Sequence, residues 1–160
     1  FFRIIVMHVV PGAGDFVIKL TAQVLREAVK KGAPGDFLGH EGGDDFFLLT
    51  TPEKAEAVTG HVCAEFDRLI KDCYPAEDLA RGYMVSKDRE GNAKQFPIMT
   101  ISLAGLANAV REFASYAEVT NICAEVKKKA KVTSKEAGKS SFVLDKRTGE
   151  HGAPVTPEAH

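Results

Sequence analysis

The chain has 160 residues, 44% hydrophobic and 27% charged, with a formal net charge of −1. This is enough chain for one domain with a real core, and near-neutrality gives no electrostatic ground for gripping a nucleic-acid polymer, although a local basic patch could still hold a small anion. Three cysteines without a C-x-x-C spacing argue against a disulfide framework or a zinc cluster and fit a reducing cytoplasm, and no apolar run reaches the roughly 20 residues of a membrane span.

Residues 2–10 are rich in Ile and Val and predict a buried strand; neither a basic leader nor a small-residue cleavage site marks them as a signal peptide. Pro11-Gly12-Ala13-Gly14 breaks the strand, and Asp15 is a good N-cap for a helix through Lys31. The inward stripe of that helix is Phe16, Leu20, Val24, Leu25 and Ala28, and Gly32 with Pro34-Gly35 stops it. A hairpin is expected over about 36–50. Thr51-Pro52-Glu53 then opens a second helix, with Val58, Val62, Phe66, Leu69 and Ile70 inward and an end near Cys73-Tyr74-Pro75.

Residues 82–86 read as a strand, Lys87 to Asn92 as a polar turn, and Phe96 to Leu103 as the strand that pairs back. A loop is expected through Asn108. The last helix spans about 115–132, with Val119, Ile122, Cys123 and Val126 inward, and Ser141 to Asp145 form a closing strand. The tail, 148–160, has two prolines and no periodicity and is expected to be disordered. The order predicts an α+β fold: a palm-like sandwich with a central, mostly antiparallel sheet flanked by helices on a βαββαβ core.

Within the first hairpin, Glu41-Gly42-Gly43-Asp44-Asp45-Phe46 separates two apolar runs. The glycines permit positive φ and leave the backbone bare, and the aspartates put two carboxylates at the tip. Such a turn suits Mg²⁺ with a nucleotide phosphate, because Mg²⁺ takes oxygen ligands and shares them with phosphate. It is also ordinary hairpin chemistry that needs no ligand.

Four elements in order give the chain a resemblance to the GGDEF family of cyclic di-GMP signalling domains. Gly42-Gly43-Asp44-Asp45-Phe46 is similar to the signature hairpin. Gly14-Asp15 with Phe16-Val17-Ile18 is similar to the G-D-x-h-L opening of the first helix, and Thr100-Ile101-Ser102-Leu103-Ala104 to the T-x-S-I-G strand. Ala130-Lys131 and Gly138-Lys139-Ser140 are similar to the A-K…G-R-N element, with a few extra residues between. The resemblance covers residues 2–147 and implies one domain over 1–147. It implies a diguanylate cyclase activity, in which two GTP molecules on facing subunits of a homodimer join when a 3′-hydroxyl attacks an α-phosphorus with the help of Mg²⁺ or Mn²⁺. It assigns Asp44 and, at the end of the first strand, His8 to the metal, and Asp45 to the acid beside the attacking hydroxyl. Gly42 and Gly43 would meet phosphate, Asp15 the guanine edge, and Lys131 and Lys139 the terminal phosphates. A cytoplasmic setting and a sensor or receiver domain in the full-length protein are further implications.

The departures point to a degenerate site with weak or no turnover. His8 stands where the family has a metal-binding aspartate; it reads either as a packed histidine or as a ligand better suited to Zn²⁺ than Mg²⁺. Asp45 replaces Glu and loses a methylene of reach, and Lys139 replaces Arg and loses its bidentate fork. The guanine-reading Asn has no counterpart, because Val10 runs almost at once into Pro11-Gly12. Residues additional to those written between Val10 and Pro11 are the favoured explanation for this short link, and an active cyclase requires that they supply the acid. Ala33-Pro34-Gly35-Asp36 keeps the acid of the family's product-inhibition motif and lacks its arginine. A pure interaction module that keeps the fold without the ligand is the remaining alternative.

Overall fold

In the computed structural model, residues 3–9, 14–87, 90–108, 113 and 115–147 are described. The chain forms β1 (Arg3–Val9), α1 (Asp15–Lys30), β2 (Phe37–Gly42), β3 (Asp45–Thr50) and α2 (Pro52–Leu69). A 3₁₀ turn (Ile70–Cys73), α3 (Ala76–Arg81), β4 (Tyr83–Lys87), β5 (Ala93–Pro97), β6 (Ile101–Ala107), α4 (Tyr116–Ala137) and β7 (Ser141–Leu144) follow. The central sheet has the order β2-β3-β1-β6-β7, and only β6–β7 is parallel. The expected mostly antiparallel sheet between helices is therefore what the chain builds.

Side-chain alternation sorts the sheet into two faces. Phe46, Leu48, Ile101 and Leu103 pack with Val24 and Leu25 of α1 and Val58, Val62 and Phe66 of α2. Ala104 and Leu106 pack on the other face with Ile122, Cys123 and Val126 of α4. The sheet is thus a middle layer, with α1 and α2 on one side and α4 on the other.

Several boundaries differ from the sequence reading. Gly14 takes the N-cap of α1 in extended conformation, and Asp15 is the first helical residue with no capping hydrogen bond. Phe16 is 67% exposed, while Val17 and Thr21 occupy the buried stripe. The run 96–103 is not one strand. It divides at Ile98–Thr100, so β5 pairs with β4 in a separate two-stranded ribbon and β6 enters the central sheet. The stretch read as a loop, 104–107, completes β6, whose seven residues are all buried. Its small residues are what the site requires: a Cβ on Gly105 would lie 2.6 Å from the Phe142 ring. The last helix continues to Ala137, where Gly138 at φ 60 ends it in the left-handed region. The short link at Val10 to Ala13, part of the 87–92 turn and the tail 148–160 lie outside the described residues.

Candidate functional site

The topology gathers most of the sequence-predicted residues at one end of the sheet. β1 ends there at Val9, opposite Ile101 at the start of β6. β3 starts there, with Asp45 opposite His8, and β7 starts there, with Ser141 opposite Ser102. The hairpin turn Gly43-Asp44 lies just before β3, and Lys139 lies two residues before β7. Five residues separate the end of β1 from the start of α1, so Asp15 opens its helix near the same end. His8 stands in one cross-strand row with Asp45 and Ser102.

The hairpin is shaped by its glycines. Gly42 has φ 129 and Gly43 φ 56, and nothing lies within 4 Å of a Cβ built on either, so the backbone is bare on that side. A register shift between His40 and Gly42 leaves Glu41 as a bulge. The His40 ring stacks on Phe46 at 4.3 Å, and its Nε2 lies 3.0 Å from the Gly43 carbonyl oxygen. His40 thus holds the turn in place. Asp44 and Asp45 are both half-buried.

Asp45 has a partner that sequence order conceals. The Lys127 ammonium donates to its Oδ1 at 2.6 Å, and the two side chains are 21% and 33% exposed. This pair joins the hairpin to α4 across the sheet face that α4 covers. Other charges converge nearby. The Cys123 thiol, one turn before Lys127, is pushed up to about 11, by burial first and then by Asp145 and Glu41 against the opposing effect of Lys127. The sequence signal for Lys127 is its place in the basic run Lys127-Lys128-Lys129.

The lysines assigned to phosphate are less closely gathered. Lys131 is exposed and lines a cleft beside the β4–β5 ribbon that the hairpin does not line. Lys139 is exposed at the turn into β7. The residue after it has a structural task. Ser140 donates its N–H to the Asp67 carboxylate at 3.0 and 3.1 Å and its hydroxyl to the same group, while its Oγ accepts the Ile101 N–H at 2.9 Å. Asp36, the surviving acid of the inhibition motif, accepts from the Ala33 N–H and the Thr50 hydroxyl, both at 2.9 Å, and so closes the loop into β2.

Mg²⁺ calls for near-octahedral oxygen coordination. Among the described residues no three acidic, His or Cys side chains cluster tightly enough to hold a metal, and one hairpin carboxylate is already held by an ammonium. Val10 and Pro11 are consecutive in the chain.

No family model matches the sequence, and no curated protein matches it. Solved structures do. The diguanylate cyclase SiaD of Pseudomonas aeruginosa, solved with its activator SiaC, aligns with a TM-score of 0.52 at 15% identity, over 90% of this chain and 50% of that one. This chain thus spans half the length of SiaD. The GGDEF domain of DgcB from Caulobacter crescentus, solved with c-di-GMP, aligns at 0.47 and 16% identity, over 89% and 77%. The active GGEEF domain of a diguanylate cyclase from Vibrio cholerae aligns at 0.48 and 11% identity, over 92% and 84%. At such identities the likeness is one of fold, and the fold is the one the sequence motifs implied.

Proposed function

We propose that the chain is a bacterial cyclic di-GMP signalling domain of GGDEF type that keeps a guanine-nucleotide site and has lost most or all cyclase turnover. The observation that carries this reading is the Lys127–Asp45 ion pair at 2.6 Å. A carboxylate oxygen engaged by an ammonium has less charge to offer a metal or an attacking hydroxyl. Asp45 stands at the position the resemblance gives to the acid beside that hydroxyl. The neighbouring strand position is His8 rather than an acid.

Nucleotide binding is a lighter demand than turnover. The bare Gly42-Gly43 backbone, Asp44 at the turn and Asp15 at the start of α1 lie toward one sheet end. Backbone N–H groups at such a turn suit phosphate oxygens. Mg²⁺ or Mn²⁺ would come with the nucleotide, with Asp44 as the protein's ligand. The domain would act as an output or regulatory module beside a sensor or receiver domain, alone or as a homodimer.

A chromatographic assay for cyclic di-GMP after incubation with GTP and Mg²⁺ tests the loss of turnover. No product or only a trace is expected; sustained multiple turnover would overturn the degenerate reading.

A further inference from the structure

Away from the hairpin, the C-terminal half of α4 and the β4–β5 ribbon enclose a cleft of about 500 Å³. That is the size of a small-molecule site. Its body is apolar: Tyr74, Met84, Phe96, Ile98 and Met99 line it. Methionines adapt to irregular ligands, and aromatic rings give stacking faces. The polar groups are few. Thr100, Ser102 and Ser134 present hydroxyls at one side, where Ser134 already lies 3.0 Å from Ser102 and 2.6 Å from Ser141.

Among the described residues the charge on the walls has one sign. Lys131 and Lys135 come from α4, and Lys87 comes from the facing ribbon; among the described residues no Asp or Glu lines the cleft. Lysines in the last turn of a helix are favourable without any ligand, which accounts for Lys135. Of the three, only Lys135 lies in the last turn of α4, so that effect accounts neither for Lys131 nor for Lys87, which lies at the end of a strand on the opposite wall. An apolar body with cations on two facing walls is complementary to one chemistry.

We propose that this cleft binds a small amphipathic anion: an aromatic or short-chain apolar body bearing a carboxylate, sulfonate or phosphate. The apolar part would lie against Phe96, Met84 and Met99, and the anionic head would sit between Lys87 and Lys135. The inference does not rest on the nucleotide reading, since no hairpin residue lines the cleft.

The test uses the whole chain and two fluorescent probes, the anion 8-anilinonaphthalene-1-sulfonate and the neutral N-phenyl-1-naphthylamine. Saturable binding of one equivalent of the anion to protein that still unfolds in a single sharp transition is expected. Lys87→Gln with Lys135→Gln should weaken the anion roughly two- to tenfold and leave the neutral probe unchanged, because each rim charge contributes modestly and is screened by salt. Phe96→Ala should weaken both probes. Absence of saturable binding, or equal anion affinity with and without the two lysines, overturns the proposal. One-for-one displacement of the anion by a GTP analogue also overturns it, since the cleft would then be the nucleotide site. Nucleotide binding to the hairpin with no probe binding would sink this proposal alone.

Discussion

Lys127 and Asp45 are 82 residues apart in sequence and 2.6 Å apart in space. Both are half-buried, so the pair falls between a screened surface bridge and a desolvated one. A double-mutant cycle with Lys127→Met and Asp45→Asn, read by chemical denaturation, should give a coupling of about 1 kcal/mol. Zero coupling would mean the pair does not form in solution. No single-sequence pattern shows such a contact, because it depends on how α4 crosses the sheet. The turn at Gly42 and Gly43 was legible, since a turn's chemistry is local. The cysteines give a second residue-scale prediction. Cys63 is pushed up from 9.0 to about 12 by burial, with a smaller contribution from Asp67. At pH 8 a thiol reagent should modify exposed Cys73 and spare Cys63 and Cys123 in the folded protein. The folded state holds these protons more tightly than the unfolded chain. Their contribution to stability is therefore complete below about pH 9 and is lost as pH rises toward the folded values near 11 and 12. Equal modification of all three cysteines, or a midpoint flat from pH 8 to 11, would contradict this.

At the scale of elements, long periodic helices and a glycine-marked hairpin read well from sequence. α2 buries Val58, Val62, Phe66 and, just past its end, Ile70, as their spacing required. β6 read poorly because Leu103-Ala104-Gly105-Leu106-Ala107 has the small residues of a loop. Those residues fit a central strand covered on both faces, and only the neighbours reveal it. α3 was missed although its signals were present: acids Glu77 and Asp78 in its first turn and a left-handed Gly82 at its end. The hairpin turn makes the element-scale prediction. Gly43 has φ 56, within reach of other residues at about 1–2 kcal/mol, whereas Gly42 at φ 129 lies where a side chain is strained. Gly42→Ala should therefore lower the denaturation midpoint more than Gly43→Asn. The reverse order would mean the turn adopts another conformation.

For the whole molecule, the fold was legible in the order of the elements, and the strand register then brings most motif residues to one sheet end. The site's chemistry was legible only in part: Asp44 and the two glycines lie at the hairpin turn, Asp45 pairs with Lys127, and Lys131 lines a cleft that no hairpin residue lines. The central claim is a nucleotide site that survives without turnover. It is tested most directly by calorimetric titration of a non-hydrolysable GTP analogue, with and without Mg²⁺, into the chain and its Asp44→Ala variant. Micromolar, Mg²⁺-dependent binding by the chain, weakened tenfold or more by Asp44→Ala, is predicted. No heat up to millimolar analogue, or equal affinity in the variant, would contradict the account and turn attention to a protein partner.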